Sequence, residues 1–181
     1  HIQCKKMGHL DKQKIALPEF ETMSHFTALI GCVDTDLVIR ANEICNQYGM
    51  DTISAASTLA CRREILKISY TKETVLSLLK DIAQGKGEGK DLAAGSVMYA
   101  KKMGRPEAAM AVKGMELPAY DPRGAYGMAL GYALSTRGGC HLRAYPISHE
   151  IFRKPVATDR FSFSGKARII KLSEDLNAIV D

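Results

Sequence analysis

Tryptophan is absent, and the 181-residue chain holds only five phenylalanines and seven tyrosines. So few aromatic platforms argue against a surface that stacks nucleic-acid bases. The 25 lysines and arginines exceed the 20 acidic residues by only five. They are scattered in "CKK", "CRRE", "AKK" and "FRK" rather than gathered on one face. Nucleic-acid binding is therefore not expected. No run of about 18 apolar residues occurs, so no membrane span is expected either. The five cysteines, at positions 4, 32, 45, 61 and 140, form no CxxC and no regular framework. An odd count in a chain this long reads as reduced, and as cytoplasmic. Cys32, Cys45 and Cys61 sit among apolar neighbours and are read as small core residues. No charged, apolar, small-residue succession opens the chain, so a signal peptide is not expected. The start at "HIQC", without methionine, is what a piece of a longer polypeptide would give.

Helical periodicity is plentiful. "DTDLVIRANEICNQYG" places Leu37, Val38, Ala41, Ile44 and Cys45 on one stripe and stops at Gly49. "DTISAASTLACRREILK" follows at once, with Asp51 and Thr52 offering N-cap oxygens. "TKETVLSLLKDIAQ", "GKDLAAGSVMYAKKMG", "GAYGMALGYALST" and "GKARIIKLSEDLNAIVD" each read as one further helix. Period-two alternation is not sustained anywhere, so the fold class read from the chain is all-α. "GKGEGK" at 85–90 fits neither phosphate-binding template and reads as an interhelical loop. The segment 103–124 carries three of the six prolines and is the expected seam between two helical subdomains, residues 1–108 and 109–181.

Four stretches combine polar groups with a constrained backbone. In "LPEFET", Glu19 and Glu21 flank Phe20 ahead of an apolar run. A carboxylate there is either a solvated loop group or one held against apolar neighbours and able to act near neutral pH. In "NQYGMDTIS", Asp51 and Thr52 stand at a helix N-terminus, as a plain cap or as a ligand contact. "YDPRG" is a stiff turn presenting Arg123. In "LSTRGGCHLRAYPISHE", Gly138-Gly139 permits close approach of a ligand, His141 can pass protons, and Arg143 could contact a phosphate or a polar ring. For His141 a metal ligand, an acid/base group and a buried histidine on a carbonyl all remain open.

In order, "PEFET", "ANEICNQYGMDTIS", "AVKGMELPAYDPRGAYGMALGYALSTRGGCHLRAYP" and "DLNAIVD" resemble the tungsten-containing aldehyde ferredoxin oxidoreductase family along essentially the whole chain. The resemblance implies the largely helical middle and C-terminal domains of that family. The family's β-rich N-terminal domain, which shares the cofactor site, would precede this chain. It implies oxidation of an aldehyde to a carboxylic acid at a tungsten bis-molybdopterin centre, with electrons leaving through a four-iron, four-sulfur cluster to ferredoxin. Related proteins act on other substrates, including aromatic thioesters, and tungsten is not distinguished from molybdenum. A cofactor-free helical interaction module is the competing reading. The resemblance also allows a homodimer of the full-length protein.

Residue by residue, the resemblance makes Glu21 and His141 the active-site glutamate and histidine. "NQYGMD" resembles the family's pterin-binding DxxGLD with Asn46 in place of its first aspartate, and Met50, Asp51 and Thr52 complete that contact. Asparagine keeps one carbonyl acceptor toward a ring N–H. Arg143 takes a basic cofactor-contact position. Cys4 in "HIQC" resembles the last cysteine of the family's CxxCxxxC, one ligand of a cluster that normally takes four thiolates. Asp181 resembles the first residue of its DxxGLC.

Overall fold

The computed structural model describes residues 6–10 and 12–180. Cys4 and Asp181 lie outside the described residues. The described chain is mainly helical, as the periodicity implies, and divides into two compact units, one reaching to Met110 and the other beginning at Ala111.

The first unit opens with an antiparallel hairpin, β1 (Met7–Leu10) and β2 (Gln13–Ala16), in which Gly8 pairs with Ile15. Helix α1 (Phe20–Ser24) runs directly into one π-helical turn, His25–Leu29. Helix α2 (Thr35–Tyr48) begins where the Asp34 carboxylate accepts the Leu37 amide at 3.0 Å and ends at Gly49 with φ 67°. Its Leu37, Val38, Ala41, Ile44 and Cys45 are buried, so the stripe read from the sequence is the core face. Helix α3 (Thr52–Leu66) is capped by Asp51, whose carboxylate accepts the Ser54 amide at 2.8 Å. Ala55, Ala56, Ser57, Thr58, Leu59 and Cys61 are all buried, so α3 is enclosed on several sides. The Thr58 hydroxyl meets its hydrogen-bonding need by donating to the Ser54 carbonyl at 2.7 Å. Helix α4 (Lys72–Gln84) buries Val75 and Leu79 and closes at Gly85.

The single helix expected over "GKDLAAGSVMYAKKMG" is instead two, α5 (Gly89–Leu92) and α6 (Ser96–Lys102), parted at Gly95 with φ 84°. Packing explains the break. Helix α5 lies on α4, so close that a Cβ at Gly89 would fall 2.2 Å from the Asp81 carbonyl carbon, while α6 packs against α3. One straight helix could not serve both partners. Gly89 and Lys90, where the expected loop and the expected helix overlap, begin α5. A salt bridge ties these parts together. Arg62 of α3 grips both Glu88 oxygens, at 2.9 and 2.8 Å, and the Tyr99 hydroxyl donates to Glu88 at 2.8 Å.

The second unit starts with a minimal hairpin, β3 (Ala111–Val112) and β4 (Met115–Glu116), around Lys113 and Gly114, both at positive φ. Such a two-residue loop matches the twist of its strands. Three helices follow, α7 (Tyr126–Leu134), α8 (Ile147–Glu150) and α9 (Lys166–Val180). A small cluster of Ala125, Met128, Tyr132 and Ile147 forms its apolar centre. Beside it, Glu150 and Lys166 form an ion pair at 2.8 Å with both side chains fully buried. The Gly127 amide donates to the same Glu150 oxygen at 2.7 Å, and the Lys166 ammonium donates to the Thr158 hydroxyl at 2.7 Å. Gly127 lies in α7 where this carboxylate approaches the helix. Its missing side chain admits the carboxylate, which a Cβ there would meet at 2.9 Å.

Candidate functional site

The sequence-derived candidates fall into two groups, one in each unit. In the first unit Glu21 is not a loop residue: it lies in α1, with its side chain only 12 % exposed. Glu19, just before the helix, is exposed. The helix is short, and its flanks hold it. The Thr22 hydroxyl lies 2.8 Å from the Thr52 hydroxyl, which joins α1 to the first turn of α3. His25, buried to 1 %, turns its ring back along α1. Its Nδ1 is 2.8 Å from the Glu21 carbonyl oxygen and 3.6 Å from the Glu21 carboxylate.

Asn46 is exposed on the last turn of α2, and Asp51 is exposed at the start of α3. Met50 is half-buried against the core, and its amide donates to the Cys45 carbonyl at 2.8 Å. Asp51 acts as a helix cap through one oxygen. The α2–α3 corner thus presents an amide, a carboxylate and a hydroxyl within a few residues, beside the helix that carries Glu21. Amide and carboxylate oxygens at a solvent-facing corner suit the N–H groups of a polar ring, so this donor set fits a pterin.

In the second unit His141 is half-buried and sits beside two tyrosines. Its ring centroid is 5.9 Å from that of Tyr120 and 6.5 Å from that of Tyr145. The two phenol oxygens are 3.2 Å apart, and the Tyr132 hydroxyl donates to the Tyr120 carbonyl at 3.0 Å. Tyr145 has φ 29°, a region that side-chain-bearing residues rarely adopt and that the packing around it must enforce. The Asn177 amide of α9 donates to the carbonyls of Leu142 and Arg143, at 3.0 and 2.8 Å. The segment from His141 to Tyr145, half-buried Arg143 included, is therefore held by the Asn177 side chain and by ring contacts with Tyr120.

One expectation changes. Gly138-Gly139 was read as room for a ligand, but the chain itself fills it. A Cβ at Gly138 would fall 2.3 Å from the Val112 carbonyl oxygen, and one at Gly139 would fall 2.8 Å from that of Met115. The glycine pair docks on the β3–β4 hairpin and so delivers Cys140 and His141 to their places. The "YDPRG" turn does present Arg123, whose side chain is 87 % exposed. It folds back onto Asp121, Nη2 to Oδ2 at 2.6 Å, and this guanidinium holds the Asp121 carboxyl below its ordinary range.

The described cysteines do not suit an iron–sulfur cluster. Cys45, Cys61 and Cys140 are buried, and Cys32 is half-buried. Burial, with the Asp51 charge nearby, pushes the Cys45 thiol up to about 12, away from the thiolate that a cluster takes. Among the described residues no group of three His, Cys, Asp or Glu side chains is placed to hold a metal ion. His25, Tyr120, Tyr145 and Asn177 were not anticipated as parts of the site. "AYP" offered one signal, a tyrosine squeezed between a candidate histidine segment and a proline.

The family model described as "Aldehyde ferredoxin oxidoreductase, domains 2 & 3" matches residues 1–181. The chain is 39% identical to the tungsten-containing aldehyde ferredoxin oxidoreductase of Thermococcus kodakarensis, over 91% of this chain and 30% of that protein. It is 39% identical, with the same coverage, to the protein of that name from Pyrococcus furiosus. It is 38% identical to that of Pyrococcus horikoshii, over 99% of this chain and 33% of that protein. The chain thus spans about a third of the length of the curated relatives it matches.

Proposed function

The chain belongs to the aldehyde ferredoxin oxidoreductase family, and from that premise we propose that the whole protein oxidises aldehydes to carboxylic acids and passes the electrons to ferredoxin. The observation that carries this reading is the match of the family model to every residue of the chain. In this reading the protein is a cytoplasmic enzyme with a tungsten bis-molybdopterin and a four-iron, four-sulfur cluster. Among the described residues no helix is long and apolar enough to cross a membrane. Residues 1–108 belong to the family's middle domain and 109–181 to its C-terminal domain.

Once bound, the tungsten–pterin supplies the two-electron redox chemistry, and the cluster supplies the one-electron exit. The chain's own residues bind, orient and manage protons. Asn46 offers its amide oxygen and Asp51 its carboxylate to the pterin ring, with Met50 and Thr52 beside them. Arg143 supplies a cation, and Cys4 a thiolate for the cluster, near which Asp181 belongs. Glu21 takes a proton from water or substrate; its low exposure in α1, 12 %, supports that role. His141 donates a hydrogen bond to the substrate carbonyl oxygen. The tyrosines around it and the Asn177 clamp limit its freedom, which suits a group that must meet a reacting atom in one pose.

The test uses full-length protein. It should carry tungsten and about four irons per chain. Glu21→Ala and His141→Ala should each lower aldehyde turnover at least about a hundredfold with metal content unchanged. Full-length protein with neither metal would defeat the enzyme reading, and unchanged turnover in both variants would defeat the residue roles.

A further inference from the structure

We infer that His25 is the positioning residue of Glu21, fixing where its carboxylate stands; this rests on the catalytic role proposed for Glu21. A carbonyl oxygen can only accept, so the 2.8 Å contact with the Glu21 carbonyl requires that Nδ1 carry the proton. That assigns the tautomer: His25 presents an N–H toward Glu21 whether the ring is neutral or charged. The His25 backbone amide also donates to the Glu21 carbonyl. One residue therefore holds the Glu21 main chain twice.

The same Nδ1–H lies 3.6 Å from the Glu21 carboxylate. This is beyond hydrogen-bond length, so the attraction is electrostatic. A histidine that only satisfied its own burial would need the carbonyl and nothing more. Here the donor also confronts the side chain of the residue whose backbone it grips. The local helix supports this. His25 opens the π-helical turn, a geometry that occurs mostly as single turns within helices and frequently at functional sites. The Thr22–Thr52 hydroxyl pair holds the neighbouring residue to α3. Glu21 is thus bracketed by a fixed backbone on one side and a fixed N–H on the other.

The test compares His25→Asn, which keeps an N–H where Nδ1 stands, with His25→Leu, which removes it, in the full-length holoenzyme. His25→Leu should lower kcat about tenfold or more while KM moves less than about twofold. Metal content should stay unchanged, and a crystal structure should show the Glu21 carboxylate displaced by about 1 Å or more. His25→Asn should restore kcat to within about threefold of the parent and return Glu21 to its place. If His25→Leu does not accumulate, His25→Gln replaces it. Gln extends its N–H to the wrong position and should behave as a loss, and equal behaviour of the Asn and Gln variants would overturn the inference. So would parental kcat with Glu21 unmoved in His25→Leu. Glu21→Gln separates the two layers. If it turns over normally, the role of Glu21 falls, and that of His25 with it. If it is inactive while the Asn and Leu variants match, only the role of His25 falls.

Discussion

The two units hold themselves together by different means. Among the described residues, the first gathers seventeen buried residues from Phe26 to Ala100 into one cluster, nearly all aliphatic or small. The second gathers four. In the second unit the centre is shared with a fully buried Glu150–Lys166 pair, the Gly127 amide and the Thr158 hydroxyl. Apolar packing is tolerant: a vacated volume relaxes in part, and its cost is graded. A buried ion pair is unforgiving, because removing one partner strands a charge without water. Units built this way should differ in how they fail, with the second failing abruptly at one pair and the first failing by degrees.

Lys166→Met should have the largest effect. It removes the cation opposite Glu150 and the donor to Thr158, and Glu150 Oε2 already lacks a hydrogen-bond partner among the described residues. The expected loss is about 3–5 kcal/mol, confined to α7, α8 and α9. Hydrogen exchange of the full-length protein, read peptide by peptide, would show those segments losing protection while α2, α3 and α4 keep theirs. Equal loss in both units would show that they unfold as one and would break the contrast.

Leu59→Ala sharpens it from the other side. Leu59 is fully buried in the first unit's cluster, and truncation should cost about 2–5 kcal/mol. Protection should fall in α2, α3 and α4, while α9 is unchanged in the same experiment. A loss below about 0.5 kcal/mol would mean that the cluster is not what stabilises this unit.

How legible these features were in the sequence follows from the length over which each is written. Helices α2 and α4 run for 14 and 13 residues, enough for an apolar stripe to repeat, and both were read. Helix α1 has five residues, less than two turns, so no period could place Glu21 on a helix. The β3–β4 strands have two residues each and cannot alternate. The division at Gly95 was hidden because Ala93-Ala94 and Ser96-Val97 both suit a helix; only the need for α5 and α6 to pack on different partners separates them. The candidate site was legible only where local chemistry or resemblance marked a residue. Glu21, Asp51, His141 and Arg143 were chosen from local chemistry and resemblance. His25 stands in "TMSHFT" with no chemical neighbour that marks it, and only its ring direction gives it meaning. Gly138-Gly139 was noticed correctly and interpreted wrongly, because a sequence records that space is needed and not what occupies it.

The smallest expected effect concerns the first unit's own charged tie, and it bounds the contrast. The Arg62 guanidinium, followed by the Tyr99 hydroxyl, holds the Glu88 carboxyl below its ordinary value near 4.5. A carboxyl whose folded value is depressed contributes stability that is complete above the ordinary value and is lost as pH falls through the lowered one. The Glu88 side chain is 37 % exposed, so screening by water limits the contribution to about 1 kcal/mol or less. Glu88→Gln should therefore destabilise the first unit slightly at pH 7. The difference from the parent should shrink as pH is lowered below about 4.5, because there the parent loses the same charge. Hydrogen exchange in the α3, α5 and α6 peptides at pH 7 and pH 4 would measure both values. A difference as large as that of Lys166→Met would mean that the first unit also hangs on one ion pair, and the two units would then be alike in kind.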